Sequence, residues 1–166
     1  MAAGSTYTPI ATTTLGSAAA TITFSSFSGY TDLRLIMSVL PTGAGSAMEL
    51  TVNNDSASNY SWTNIYGNGT SALSGRTSNY GNILGGYGLS SSTTIPTFFE
   101  LNFQNYSNTT TYKTILSRFS DNGAGLAGAA VSLWRSTAAI TSIKINNPSS
   151  TYATGSTFTL YGIAAA

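Results

Sequence analysis

The sequence predicts an all-β protein, an antiparallel β-sandwich of jelly-roll-like type with an extended N-terminal arm. Three observations carry that expectation. Apolar residues recur with period two rather than with the helical period. The segments patterned this way are short and are separated by Gly, Ser and Asn. The chain also holds 10 Tyr, 7 Phe and 2 Trp while only 7% of its residues are charged, against about 25% in an ordinary globular domain.

Taken in order, residues 1–16 form the arm, an extended Thr-rich stretch suited to packing as an edge strand or to reaching a neighbour. Ala20 to Phe24 is the first strand candidate. Leu33 to Val39 follows, with Leu33, Leu35, Met37 and Val39 on one face. Glu49 to Asn53 and Tyr60 to Tyr66 come next. Residues 64–94 read as a long excursion rich in Gly, Ser and Tyr, with Asn68-Gly69 and Gly85-Gly86 as turn signals and a short hairpin near Ile83-Leu84. Phe99-Glu100-Leu101-Asn102-Phe103 alternates as a half-buried strand should. Thr111 to Phe119, Gly128 to Trp134, Ile143 to Ile145 and Thr157 to Tyr161 complete a set of about nine strands. Short helices are expected only at Ser56 to Tyr60 and after Ser136.

A chain of 166 residues suits a single domain, here 1–166. With a net charge of +1, nothing steers it to nucleic acid. Solubility must come from hydroxyls and amides, since Ser, Thr, Asn and Gly fill about half the chain. Disorder is excluded by the aromatic and β-branched content. Without cysteine there are no disulfides or thiolate metal sites, and without histidine the commonest general base and metal ligand are missing. No metal or cofactor is expected. No stretch approaches the roughly 18 apolar residues of a membrane helix, and the opening residues do not read as a secretory signal.

The acids Asp32, Glu49, Asp55, Glu100 and Asp121 show no spacing that pairs two of them for general acid–base work. Asp32 and Asp55 sit beside turn residues, where Asp closes turns, and Asp121-Asn122-Gly123 is itself a turn signature. Glu49 and Glu100 lie on polar strand faces, where a cross-strand Arg or Lys is the ordinary partner. No catalytic residue is expected. The aromatics are the stronger signal. Tyr112 flanks a turn, and so do Tyr60, Trp62, Tyr66, Tyr80, Tyr87 and Tyr106, among Asn, Ser and Gly, the residue set of adaptable binding surfaces. They suit a protein interface or a sugar site, and equally rings that close the sandwich ends with wet hydroxyls. Together with Tyr7 and Arg76 they are the candidate interface residues. Trp134 is expected in the core and Arg135 as a pairing residue.

In the stretch NYSNTTTYKTILSR, residues 105–118, a turn leads into a strand. There Tyr112, Thr114, Leu116 and Arg118 share one face, and Lys113, Ile115, Ser117 and Phe119 the other. Neither face is cleanly apolar.

The segments YTPIATTTLGSAAATITFSSF, YTDLRLIMSV, SNYSWTNIYGNGTS, SGRTSN, NYSNTTTYKTILSR, VSLWRSTAAITSIKI and GSTFTLYGI span most of the chain. Through them it resembles small β-rich structural proteins of tailed bacteriophages, especially those of aquatic bacteria. The resemblance implies a virion component, on head or tail, with no catalytic residues to carry over. It leads to the expectation of a capsid decoration or cement protein on the virion exterior, made in the host cytoplasm. Its partners would be the major capsid protein and further copies of itself, as a trimer. The alternative is a tail-fibre or receptor-binding module that grips host polysaccharide.

Overall fold

A computed structural model describes residues 6–43, 47–83, 89 and 92–164. Among the described residues the chain forms eleven strands: β1 (Tyr7–Thr14), β2 (Thr21–Ser25), β3 (Asp32–Val39), β4 (Glu49–Val52), β5 (Tyr60–Gly67), β6 (Ala72–Tyr80), β7 (Thr97–Phe103), β8 (Lys113–Asp121), β9 (Leu126–Trp134), β10 (Ser142–Asn146) and β11 (Thr157–Ile163). They make an eight-stranded sheet in the order β1-β11-β3-β7-β8-β9-β5-β6 and a three-stranded sheet in the order β2-β10-β4. Every pairing within the sheets is antiparallel. The chain crosses between the sheets from β1 to β2, β2 to β3, β3 to β4 and β4 to β5, and again on either side of β10. This is the winding expected of a jelly-roll-like sandwich.

The period-two pattern does what it should. Leu33, Leu35, Met37 and Val39 of β3 are all fully buried, and the residues between them are not. Leu35 lies level with Leu160 on one side and Leu101 on the other. Opposite them the small sheet contributes Ile22, Phe24, Leu50, Val52, Ile143 and Ile145 to the same core. The gap between the sheets is therefore filled by aliphatic and Phe side chains from both inner faces, as face-to-face sheet packing requires.

The N-terminal arm, from Tyr7, is the edge strand β1 on β11. Two expectations are corrected. Among the described residues there is no helix, at Ser56 to Tyr60 or after Ser136. At the first site Asp55 accepts from Ala57 N at 2.9 Å and Asn59 N bonds Ala57 O. This tight turn ends where Tyr60 enters β5. The excursion over 64–94 is also less irregular than expected, because β5 runs into it and β6 occupies Ala72–Tyr80. The turn is the Asn68-Gly69 signal itself. Asn68 Oδ1 accepts from Thr70 N and Ser71 N, and Gly69 takes φ +84, a left-handed conformation that glycine adopts without steric cost. Small polar side chains had hidden β6, since ALSGRTSNY carries no apolar alternation. The expected hairpin near Ile83-Leu84 lies partly outside the described residues. Ile83 itself donates its N–H to Leu50 O.

Candidate functional site

The small sheet covers only the inner face of the large one. The register fixes what lies on the other side. One row across the outer face reads Tyr161, Arg34, Asn102, Leu116, Val131, Thr63 and Arg76. The next reads Thr159, Ile36, Glu100, Arg118, Ala129, Ile65 and Ser74. Leu116 and Val131 sit directly opposite each other and are 42% and 43% exposed, Ile65 beside them is 63% exposed, and Phe98 in the following row is 40% exposed. Single exposed apolar residues mean little, but a contiguous group on one face marks an interaction surface. Beside it lies a trough whose walls and floor include Ile65, Gly67, Ala72, Ala127 and Ala129. These side chains are short enough to admit an opposing surface close to the backbone.

The face is also charged in one sense. Glu100 is 5% exposed and accepts from Arg34 and from Arg118, each at 2.5 Å. The expected cross-strand pairing of Glu100 is therefore met twice. Arg118 keeps 68% of its side chain exposed, and Arg76 is exposed as well. Three cations thus stand against one carboxylate in these rows. Arg34 also donates to Tyr7 Oη at 2.9 Å and lies over the Tyr7 ring. The arrangement suits an opposing surface that is partly apolar and carries carboxylates.

The other acids do local work. Asp32 Oδ1 accepts from Asn105 N, and buried Asp121 accepts from Ala124 N in the β8–β9 turn. Glu49 lies with Lys144, Thr51 and Asn146 in a polar cup on the outside of the small sheet. Asp55 accepts from Trp134 Nε1 at 2.7 Å, Asn59 Nδ2 at 2.9 Å and Ala57 N. Burial alone would raise its pKa, but these hydrogen bonds outweigh burial and hold it below the ordinary value. A depressed folded-state pKa means that the carboxylate's contribution to stability is complete above the unfolded value. It is lost as pH falls through the folded one. Thermal unfolding followed by circular dichroism is therefore expected to show a midpoint that drops below about pH 4, with part of that drop absent in Asp55→Asn. An unchanged acid profile in the variant would exclude the coupling.

The candidate interface residues separate. Tyr7 is 45% and Tyr80 40% exposed, and Arg76 lies on the outer face. Trp62 and Tyr66 are half-buried, on the inner side of β5. Tyr60 and Tyr106 are corrections. Tyr60 is fully buried and donates to Asp55 O at 2.9 Å, and burial raises its hydroxyl pKa to about 12. Tyr106 is 3% exposed and packs edge-on against Phe27. Both rings serve the core, and the Tyr60 hydroxyl has the hydrogen-bond partner that a buried tyrosine needs. Tyr87 lies outside the described residues. Trp134 is in the core as expected, and Arg135 donates to Ser58 O and Asn79 Oδ1. Ile65, Phe98, Leu116 and Val131 were not singled out from the sequence. The mixed faces of the strand through Leu116 were the available signal.

Lys113 is the unexpected core residue. It points inward beside Trp134, is 1% exposed, and donates to Thr111 O and Thr137 O at 2.8 and 3.2 Å. Desolvation lowers its pKa. The unfolded chain therefore holds this proton more tightly, and stability rises with pH between the folded and unfolded values. At neutral pH the buried ammonium is a cost. Lys113→Met, of similar length and uncharged, is expected to leave stability within about 1 kcal/mol of wild type or raise it. A loss above about 2 kcal/mol on urea unfolding would mean that the two carbonyls require the charge.

Among the described residues no group of three or more His, Cys, Asp or Glu is placed to hold a metal ion, and no helix is long and apolar enough to cross a membrane. The fold and the outer face define a class, a two-sheet antiparallel sandwich with an apolar, cationic surface on its larger sheet. No protein-family model and no curated protein matches the chain. Among solved structures it is similar to the galectin LEC-6 of Caenorhabditis elegans, at 12% identity and a TM-score of 0.39 over 93% of this chain and 96% of that one.

Proposed function

We propose that this chain is a structural protein of a bacteriophage virion, a decoration protein that binds the assembled head shell through the outer face of its eight-stranded sheet. The virion assignment rests on the resemblance of the segments quoted above. The choice of face rests on one observation, the exposed group Ile65, Leu116 and Val131 beside Arg118 and Arg76. A protein that binds only the assembled shell stabilises it by mass action. The experiment is addition of purified protein to shells stripped of it, followed by sedimentation and a thermal bursting assay. Wild type is expected to co-sediment and raise the bursting temperature, while Val131→Asp with Ile65→Asp does neither. Failure of wild-type protein to bind shells, or immunogold labelling confined to the tail tip, would overturn the reading.

The tail-module alternative has one observation in its favour. A groove of about 360 Å³ on the same face is lined by Ser61, Thr63, Thr114 and Arg76, a hydroxyl-rich lining suited to a sugar chain. Tail-tip labelling together with binding of host polysaccharide, lost in Arg76→Ala, would establish it.

A further inference from the structure

The large sheet has two edges, and they differ. β1 carries Pro9, which has no N–H to offer, and its register shifts between Pro9 and Ala11, leaving a bulge. Proline and bulges are the usual means of blunting an exposed edge. β6, at the other end of the sheet order, lacks both devices over Ala72 to Thr77. It contains no lysine, and Arg76 is its single charge. Its register irregularity lies beyond Thr77, where two residues, one of them Asn79 at φ +58, oppose Ser61.

The hydrogen-bond phase of β6 follows from bonds at its two neighbours. Arg135 N donates to Asn59 O, so Asn59 points toward β9, and alternation turns Trp62, Asn64 and Tyr66 toward β6. Independently, Asn68 N donates to Ser71 O across the turn, which sets the same phase. Leu73, Gly75 and Thr77 therefore bond β5. Ala72, Ser74 and Arg76 direct their N–H and C=O groups away from the sheet, in a row with regular spacing.

We propose that β6 pairs antiparallel with β6 of a second copy about a two-fold axis at Ser74, joining the two large sheets into one. Centred there, Ser74 faces the partner's Ser74 and exchanges both backbone bonds with it. Ala72 faces the partner's Arg76, and Arg76 the partner's Ala72. Each outward N–H and C=O of the row finds a complement. The two arginines end up four residues apart along the ladder, roughly 13 Å, which is more than a Debye length at physiological salt. A face-to-face pairing of outer surfaces would instead bring together two faces that each carry the exposed Arg118 and Arg76. A ring of β6-to-β1 contacts, the route to a trimer along these edges, meets the edge that Pro9 and the bulge close. The second copy is thus the occupant with matching geometry, and the arrangement is isologous. It also leaves the outer face open, so the dimer presents two copies of that surface side by side.

The test is sedimentation equilibrium of the full chain from micromolar to several hundred micromolar. Wild type is expected to reach twice 17.1 kDa. Ser74→Pro deletes an N–H that bonds nothing among the described residues of its own copy, so it should fold with a cooperative melt while dimer affinity falls roughly a hundredfold or more. Ser74→Thr keeps the N–H and should dimerise as wild type does. If Ser74→Pro fails to fold, Ser74→Lys serves instead, since it sets like charges opposite each other across the axis. Amide exchange adds a positional readout, with Ala72, Ser74 and Arg76 becoming protected as concentration rises. A wild-type monomer at every concentration, a three-copy mass, or undiminished dimerisation of the folded Ser74 variants would overturn the proposal. Loss of shell binding with the dimer intact would instead count against the docking face alone.

Discussion

Phe99→Ala is expected to remove about 3–5 kcal/mol of stability, a large share of the roughly 5–15 kcal/mol that holds an ordinary domain together. The ring is 1% exposed. It lies level with Met37 of β3 and Phe119 of β8 and stacks on Phe119 at 6.1 Å between centroids. Strands on both sides are hydrogen-bonded into the centre of an eight-stranded sheet, so the backbone cannot close over the vacated volume. The removed transfer energy and the residual cavity therefore add. Urea unfolding should show a lower midpoint at an unchanged slope. The neighbour supplies the control, since Phe98 points to the outer face and is 40% exposed. Phe98→Ala should cost under about 1 kcal/mol. Similar losses in the two variants would mean that the assignment of faces in β7 is wrong.

Gly128→Ala is expected to cost about 1–3 kcal/mol, and Gly128→Val more, although both add only apolar atoms. A Cβ at this position would stand 2.5 Å from Phe119 Cζ and 2.6 Å from Ile65 O. The first contact can be relieved, because a ring end can move. The second is backbone of the adjacent strand and cannot yield without disturbing the β5–β9 ladder. Gly162 makes the informative comparison. There the three atoms nearest an added Cβ all belong to the Tyr30 ring, and Tyr30 lies outside the strands. Tyr30→Ala should therefore relieve much of the clash caused by Gly162→Ala, while Phe119→Leu should relieve only part of that caused by Gly128→Ala. Double-mutant cycles by chemical denaturation measure both couplings. Full rescue at Gly128 would show that the carbonyl contact is harmless.

Much of the fold was legible because burial in a sandwich writes itself into the chain with period two. Leu33, Leu35, Met37 and Val39 declared a face, and Phe99, Leu101 and Phe103 declared another. β6 was not legible, since an exposed edge strand has no apolar face to alternate. The helix expected at Ser56 to Tyr60 failed for a related reason. Its serine and asparagine satisfy local backbone groups in a turn as readily as in a cap, and Asp55 with the buried Tyr60 decided for the turn. Among the tyrosines, sequence context does not distinguish one whose hydroxyl meets a backbone carbonyl inside, as Tyr60 does, from one that meets water, as Tyr80 does.

Composition and period by themselves determined that this chain is an all-β sandwich with a Phe- and Leu-filled core and no histidine or thiolate chemistry. Only the tertiary structure decided which side of the large sheet stays open, that Glu100 joins Arg34 to Arg118, and that β1 and β6 are its two edges. Those outcomes depend on register between strands far apart in the chain, such as β1 with β11 and β3 with β7. A side chain's face is set locally by the pleat. Its neighbours across the ladder are set by which distant strand wins the pairing, and that is a property of the whole core.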